Sequence, residues 1–285
     1  MSFAGLRVLS LESRRAKDME SMILRQNGVP FIAPSVKERS VDDHSVAFQF
    51  VDKLEAGELD MVVCMTGVGL AFLRDVVKDT IPDERLGAAL RKATIISRGS
   101  KPVPILRALQ VPVGVMIPEP NTWREIVEAV HERPERRIAI QEYGRPNVEM
   151  NRALEALGAT VTPIALYRWE LPDDLEPLRE AARRLATNGF DVAIFTSSIQ
   201  LDHLLEIAAE LGVKEKVMGA LRDRVAIASV GPVMTDALVA AGLPPDIIPV
   251  HPKMGALVKA SAEESADALR RKRAVTAGSG ATEAP

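Results

Sequence analysis

The stretch RRIAIQEYGRPNVEMNRALEALGATVTPIAL, residues 136–166, decides the fold, because it repeats the pattern of residues 6–36, LRVLSLESRRAKDMESMILRQNGVPFIAPSV. Each copy begins with a short apolar run, continues with a helical segment and returns to a second β-branched run. Short runs that are apolar along their whole length are typical of parallel strands covered by helices. The pair therefore predicts two strand–helix–strand units of parallel α/β sheets.

Two further pairs of segments resemble each other in the same order along the chain. Residues 59–77 resemble residues 190–208, and residues 93–120 resemble residues 224–252. Three blocks that recur in order indicate two similar α/β lobes from a duplication, although the grammar shared by all α/β folds would give part of the likeness. The predicted strands are 6–11, 29–34, 60–65, 93–98, 113–118, 136–141, 160–167, 191–196, 224–229 and 246–250.

Two insertions and a tail interrupt the repeat. Residues 37–58 are predicted to be helical toward their end, and residues 168–189 occupy the matching place in the second half. The tail, residues 271–285, has small polar residues and no periodicity, so it is predicted to be disordered.

Composition limits the classes of partner. Of the 285 residues 47% are apolar, which is enough for a large core, and the net charge of −3 gives no basic field for a polyanion. Aromatic residues make up only 4%, which argues against a base-stacking nucleic-acid surface. The single cysteine, Cys64, lies in an apolar run and indicates a reducing compartment. With neither a signal-peptide layout nor a membrane span, we expect a soluble, cytoplasmic monomer that binds neither nucleic acid nor membrane.

Polar loops follow most of the predicted strands. Ligands of open parallel sheets bind beyond the carboxyl ends of the strands, where glycine amides, hydroxyls and cations favour an anion. For each loop taken by itself, ordinary helix capping is the favoured explanation. Several loops together favour a ligand with several anionic groups. These loops are 66–69, 99–101, 142–145, 197–198 and 231–232.

The loop after residue 96 carries the largest concentration of donors. The sequence IISRGSKP at 95–102 passes from two apolar residues directly to two cations, two hydroxyls and a glycine. Arg98 and Lys101 are therefore predicted to bind an anion. The chain has no phosphate-binding loop motif, and its four histidines lack metal-ligand spacing, so no metal site is predicted.

The motifs, taken in order, resemble the uroporphyrinogen-III synthase family over about residues 5–260. The resemblance implies an α/β fold of two similar lobes, each a parallel sheet flanked by helices, joined by a two-stranded link with the active site in the cleft between them. The first lobe would combine residues 1–35 and 170–265, and the second would be 36–169. The motifs are TGVG at 66–69, SRGSKP at 97–102, PEPNTWRE at 118–125, IQEYG at 140–144, ALYRW at 165–169, FTSS at 195–198 and SVGP at 229–232.

The same resemblance implies a carbon–oxygen lyase. Its substrate would be hydroxymethylbilane, a linear tetrapyrrole with eight carboxylates. The enzyme would close it with inversion of ring D and loss of water to uroporphyrinogen III, in the synthesis of haem, sirohaem or cobalamin. No metal or organic cofactor is implied, and we expect hand-over of the substrate from hydroxymethylbilane synthase.

Family roles transfer to particular positions of this chain. Tyr167 matches a family tyrosine and is predicted to assist departure of the hydroxyl group. The family usually has a threonine two residues after the proline of its G-P turn, whereas this chain has Met234, which places the activity in doubt. The predicted substrate-binding residues are Thr66, Gly67, Arg98, Gly99, Ser100, Lys101, Gly144, Thr196, Ser197, Ser198, Gly231, Pro232 and Thr235.

Two other functions stay open from the sequence. A two-lobed binding or regulatory protein that closes over a small anionic or tetrapyrrole ligand without chemistry would show the same loops, and Met234 favours it. A nucleotide-dependent transferase is disfavoured by the missing phosphate loop.

Overall fold

The computed structural model describes residues 2–279, with side chains described for residues 2–274. Its strands are β1 (Arg7–Ser10), β2 (Val29–Ile32), β3 (Lys37–Ser40), β4 (Met61–Cys64), β5 (Thr94–Ser97), β6 (Val115–Met116), β7 (Arg137–Gln141), β8 (Thr160–Ile164), β9 (Tyr167–Glu170), β10 (Val192–Phe195) and β11 (Ala226–Ser229). Its helices are α1 (Ala16–Arg25), α2 (Ser45–Glu55), α3 (Gly67–Val77), α4 (Asp83–Leu90), α5 (Val103–Ala108), α6 (Trp123–His131), α7 (Val148–Ala156), α8 (Glu176–Ala186), α9 (Ser198–Glu210), α10 (Lys214–Asp223), α11 (Pro232–Ala240) and α12 (Met254–Ser279).

The chain divides into two compact units. The central unit is Glu38–Trp169, and the terminal unit consists of the residues up to Lys37 and those from Glu170 onward. The predicted boundaries stood after residues 35 and 169. Strands β3 and β9 pair as a two-stranded sheet where the chain passes from one unit to the other.

The two units contain parallel sheets with the same strand order. The sheet of the central unit runs β6-β5-β4-β7-β8, and that of the terminal unit runs β11-β10-β1-β2. In the sequence repeat β1 corresponds to β7, β2 to β8, β10 to β4 and β11 to β5, so corresponding strands occupy corresponding places. An isolated parallel bridge from Ala228 to Ile247 marks the place that β6 fills in the other sheet. The predicted α/β fold with parallel sheets flanked by helices is confirmed.

The same ion pair lies at the amino-terminal edge of both sheets. The backbone and Nε groups of Arg7 each donate to Asp191 Oδ2 at 2.9 Å. The corresponding groups of Arg137 donate to Asp60 Oδ2 at 3.1 and 3.0 Å. Because the repeat aligns Arg7 with Arg137 and Asp191 with Asp60, the likeness of the two halves extends from strand order to single side chains.

Each sheet is packed on both faces. In β1, Val8 and Leu9 face two different hydrophobic clusters, and in β4, Val62 and Val63 do the same. This alternation explains why the central strands read as continuous apolar runs, since side chains on both faces of β1 and β4 are buried.

Three predictions about elements are corrected. Residues 246–250 form only the single bridge at Ile247, because Pro245 before the run and Pro249 within it cannot donate to a ladder. The run 160–167 divides into β8 and β9, so Tyr167 begins a strand rather than ending one. Helix α12 continues through the predicted disordered tail to Ser279, and residues 280–285 lie outside the described residues.

A buried lysine explains the extension of α12. Lys272 Nζ donates to the carbonyls of Leu221 and Val225 at 2.7 Å and forms an ion pair with Asp246 at 2.9 Å. These contacts anchor α12 at Lys272, one residue into the predicted disordered tail. Among the described helices, none is long and apolar enough to cross a membrane.

Cys64 is expected to be chemically silent in the folded protein. It is completely buried in β4, and burial raises the pKa of its thiol to about 12. We expect an aromatic disulfide reagent at pH 8 to leave the native protein unmodified, and to label one thiol per chain in concentrated urea. Rapid stoichiometric labelling of the native protein would contradict this placement.

Candidate functional site

The carboxyl ends of β4 and β7 form the switch point of the central sheet, because the chain goes from β4 to β5 on one side and from β7 to β8 on the other. Ligands of open α/β sheets bind at such a switch point. Thr66 lies two residues beyond β4, and Gln141 ends β7 beside it. The Thr66 amide donates to Gln141 Oε1 at 3.0 Å, which ties the two strand ends together.

Thr66 brings a second hydroxyl to this point. Its Oγ1 accepts from the Gly69 amide at 3.0 Å as the N-cap of α3, and lies 3.3 Å from the Tyr167 hydroxyl. If the Tyr167 phenol donates to Thr66, both Oγ1 lone pairs are used. The Thr66 proton then points either to Gln141 Oε1, at 3.5 Å, or to a bound molecule. The predicted residues Thr66 and Tyr167 thus form one hydroxyl pair.

The hydroxyl pair is shielded from water. Tyr167 is 2% exposed and its ring stacks on Phe72 at 5.5 Å, while Thr66 is 9% exposed. Direct contact of the phenol with the substrate stays a prediction. Of the pair, Thr66 is the more accessible member and Tyr167 the more deeply buried one.

The loop after β5 approaches the start of α3 closely. A Cβ on Gly67 would lie 2.4 Å from the Lys101 carbonyl oxygen, so only glycine fits there. Gly99 has φ +79° and Ser97 Oγ donates to its carbonyl at 2.8 Å. Ser100 and Lys101 are exposed, as expected for groups that meet a ligand.

Arg98 follows β5, and its guanidinium group lies over the aromatic ring of Tyr143. Its guanidinium carbon lies 4.8 Å from the centre of the Tyr143 ring, and its side chain is half-buried. Strands β5 and β7 flank β4, so this contact passes across the strand end that leads to Thr66. The structure therefore places Arg98 and Thr66 at the same edge of the central sheet.

Glu142 is a buried carboxyl group at that edge, and it gives the site a pH-dependent contribution to stability. It is 8% exposed, and desolvation raises its pKa above the ordinary value. The folded protein then binds this proton more tightly than the unfolded chain. At low pH the Glu142 carboxyl group is protonated in both states and does not lower the free energy of unfolding. As pH rises through the pKa of the folded protein, the free energy of unfolding falls.

Glu142→Gln should consequently become more stable relative to the parent protein as pH rises above about 4.3, the ordinary value for glutamate. Urea unfolding between pH 4 and pH 8 measures this difference. Glu155→Gln, at an exposed position of α7, controls for the loss of one charge. A difference that stays constant over the whole range would contradict the burial argument.

In the terminal unit, the hydroxyl group of Thr196 is already engaged. Thr196 Oγ1 donates to Glu12 Oε2 at 2.7 Å and accepts from Gln200 Nε2 at 2.9 Å. Gln200 Oε1 in turn accepts from the amides of Thr196 and Ser197, at 2.8 and 3.3 Å. Ser198 is 3% exposed. Ser197 has a partly exposed side chain, and its hydroxyl group takes part in the capping box at the start of α9.

The turn at Gly231 lies after β11 of the same sheet. Pro232 begins α11 and is exposed, and Thr235 Oγ1 lies 2.9 Å from Ser229 Oγ. Met234 is 2% exposed and packs in the core. Met234, which departs from the family pattern, is therefore a packing residue. The hydroxyl group of Thr235, one position later, forms a hydrogen bond within its own unit.

Sequence reasoning missed several residues at these edges. Glu12 and Glu142 occupy matching positions of the repeat, one at each switch point, and this coincidence was readable from the alignment of 6–36 with 136–166. Tyr143 and Trp169 lay inside quoted motifs, and their scarcity in a chain with 4% aromatic residues was a usable signal. Within residues 2–274, no group of three or more histidine, cysteine, aspartate or glutamate side chains could hold a metal ion.

Comparisons with known proteins agree with this architecture. The family model described as uroporphyrinogen-III synthase HemD matches residues 17–259. The uncharacterized protein YjjA of Bacillus subtilis (strain 168) is 28% identical over 262 residues, covering 89% of this chain and 94% of that protein.

Two solved structures share the fold. A mutant uroporphyrinogen III synthase from the extremely thermophilic bacterium Thermus thermophilus matches with a TM-score of 0.69 at 24% identity, over 94% of this chain and 100% of that one. The uroporphyrinogen-III synthetase of Helicobacter pylori 26695 matches with a TM-score of 0.51 at 12% identity, over 89% of this chain and 97% of that one.

Proposed function

Because the chain belongs to the uroporphyrinogen-III synthase family, we propose that it cyclises hydroxymethylbilane to uroporphyrinogen III with inversion of ring D and loss of water. The observation that carries the proposal is the buried pair of hydroxyl groups, Thr66 Oγ1 and Tyr167 OH, 3.3 Å apart at the switch point of the central sheet. The reaction needs a proton donor beside a departing hydroxyl group, and this pair supplies one.

The proposed reaction needs no covalent bond between the protein and the substrate. The pyrrole nitrogen pushes electrons toward the carbon that carries the hydroxyl group, the carbon–oxygen bond breaks, and the oxygen leaves as water once it receives a proton. The ring that remains is an azafulvene cation. In the proposed arrangement Thr66 donates its hydrogen bond to the leaving oxygen, while the Tyr167 phenol donates to Thr66 and compensates the developing charge.

Binding would rest on donors at the strand ends of the central unit. Arg98, Lys101 and Ser100 would contact substrate carboxylates. A guanidinium group pairs with a carboxylate through two parallel hydrogen bonds, and an ammonium group acts as a point charge. A net charge of −3 does not oppose this, because the cations act locally.

A second function is favoured by one observation, the buried Met234 at the position of a family threonine. A chain that lost this hydroxyl group could bind the tetrapyrrole without rearranging it. Hydroxymethylbilane cyclises unaided to the type I isomer, so product identity separates the two functions.

The test uses protein in excess over hydroxymethylbilane, followed by oxidation and chromatographic separation of the isomers. The synthase yields mainly the type III isomer, faster than the protein-free control. A binder slows the loss of substrate and yields only the type I isomer. The second result would overturn the proposed reaction and leave the binding function.

A further inference from the structure

Two aromatic rings and two guanidinium groups form a continuous row in the central unit, which we call the aromatic row: Arg98, Tyr143, Trp169 and Arg145. The rings of Tyr143 and Trp169 meet edge to face with centres 4.6 Å apart. Arg98 lies 4.8 Å from the Tyr143 ring centre, and Arg145 lies 5.9 Å from that of Trp169. Contacts of these lengths hold a guanidinium group over a ring by attraction to its π face.

The backbone is shaped to seat the indole. Gly144 has φ +70°, and a Cβ at this position would lie 2.4 Å from two atoms of the Trp169 ring. Any side chain here would be strained and would also collide with the indole. The Trp169 ring is therefore packed against bare backbone, although the row lies at the ligand-binding edge of the sheet rather than in the core.

The Arg98 end of the row has unused capacity to bind an anion. Within residues 2–274 the Arg98 guanidinium group takes part in no hydrogen bond or ion pair, and its contact is the Tyr143 ring. A half-buried guanidinium group without a carboxylate partner among these residues keeps its planar fork of donors for a ligand carboxylate.

The row also lies beside the proposed chemistry. Arg98 follows β5 and Tyr143 follows β7, and both strands pair with β4, whose end leads to Thr66. The Arg98 amide donates to the Cys64 carbonyl at 3.0 Å, which fixes the start of the row two residues from Thr66 in the β4 loop.

Resting on the proposed function, we propose that the aromatic row is a subsite for one pyrrole ring and its carboxylate side chains. The π-rich pyrrole packs against Trp169 and Tyr143, and its acidic side chains bind the Arg98 and Arg145 guanidinium groups. The combination of flat ring surface and flanking guanidinium groups matches a planar ring that carries carboxylates on short arms. An isolated carboxylate would not need the rings, and an isolated ring would not need the cations.

The test measures binding of a single pyrrole, so it does not depend on turnover. The chain has two tryptophans, and Trp123→Phe leaves Trp169 as the fluorescent reporter. The probe is porphobilinogen, a pyrrole that carries an acetate and a propionate. Pyrrole itself controls for the ring, glutarate for the carboxylates, and adenosine monophosphate for a nucleotide with a ring and a different anion.

We expect porphobilinogen to quench Trp169 saturably, and each control compound to need at least about tenfold higher concentration. In the Trp123→Phe background, Arg98→Gln and Arg145→Gln should each raise the apparent Kd for porphobilinogen by about tenfold, since each loses one charge-assisted contact. Circular dichroism melting confirms that these variants are folded. Equal quenching by glutarate, or stronger quenching by adenosine monophosphate, would overturn the inference.

A second measurement separates this inference from the reaction itself. Trp169→Leu removes the ring surface, whereas Trp169→Phe keeps an aromatic ring, and we expect KM for hydroxymethylbilane to rise about tenfold more in the first than in the second. Type III synthesis with the same KM in both would overturn the subsite and leave the function. Selective porphobilinogen binding without type III synthesis would overturn the function and leave the subsite.

Discussion

Removal of either member of the Thr66–Tyr167 hydroxyl pair is expected to lower kcat for type III synthesis by about 10²-fold with little change in KM, as general acid catalysis allows. Tyr167→Phe keeps the ring that stacks on Phe72 and removes only the phenol oxygen. Thr66→Val removes the hydroxyl group that would contact the leaving oxygen. Because the two groups act in series, the double variant should be about as slow as either single one, rather than 10⁴-fold slower.

Controls separate this role from packing. Thr66→Val also removes the N-cap of α3, which should cost about 0.5–2 kcal/mol in the free energy of unfolding. Thr66→Ser keeps the hydroxyl group and should keep most of kcat. Phe72→Leu disturbs the stack without touching either oxygen, so it should lower stability more than kcat. Full activity in Tyr167→Phe would make the tyrosine a packing residue and would leave Thr66 as the donor to the leaving oxygen.

Loss of the two cations after β5 is the second large effect. Arg98→Ala combined with Lys101→Ala should raise KM for hydroxymethylbilane at least about tenfold, because charge-assisted hydrogen bonds are worth roughly 1.5–3 kcal/mol each. The melting temperature should change little, since Lys101 is exposed and Arg98 covers only the face of one ring. Initial rates over a range of substrate concentrations give KM, and calorimetry gives the melting temperature.

The chain offers a matched control for charge. Arg91 and Lys92 are exposed neighbours that precede β5, at the opposite edge of the same sheet. Arg91→Ala combined with Lys92→Ala also removes one guanidinium and one ammonium charge. This variant therefore tests whether the net electrostatic field of the protein, rather than a local site, attracts the polyanion. An equal rise of KM in both double variants would show a general electrostatic effect and refute a local site.

The fold was predictable because its signals are local. Parallel strands buried on both faces must be apolar throughout, so runs such as 60–65 and 191–196 are recognisable without any contact being known. The sequence repeat then identified β1 and β7 as equivalent strands of the two halves, and likewise β4 and β10. Helix α12 escaped because Lys272 holds it by contacts to carbonyl groups that are distant in sequence.

The site was predictable only as far as loops and residue types. The sequence selected Thr66 and Tyr167, but 101 positions separate them, and nothing local says that their oxygens lie within hydrogen-bonding distance. The sequence likewise suggested Thr196 as a donor to a ligand, whereas its hydroxyl group donates to Glu12, 184 positions away. Tertiary contacts decide which hydroxyl groups form hydrogen bonds within the protein and which remain for a ligand. Residue types alone do not encode these contacts.

The proposed synthase activity is tested most simply by the number of type III molecules that each chain produces when hydroxymethylbilane is in large excess. We expect many turnovers, with type III as the major isomer and the type I fraction falling as protein is added. Type I as the sole product, formed at the rate of the protein-free control, would contradict the claim that this member of the family is a synthase.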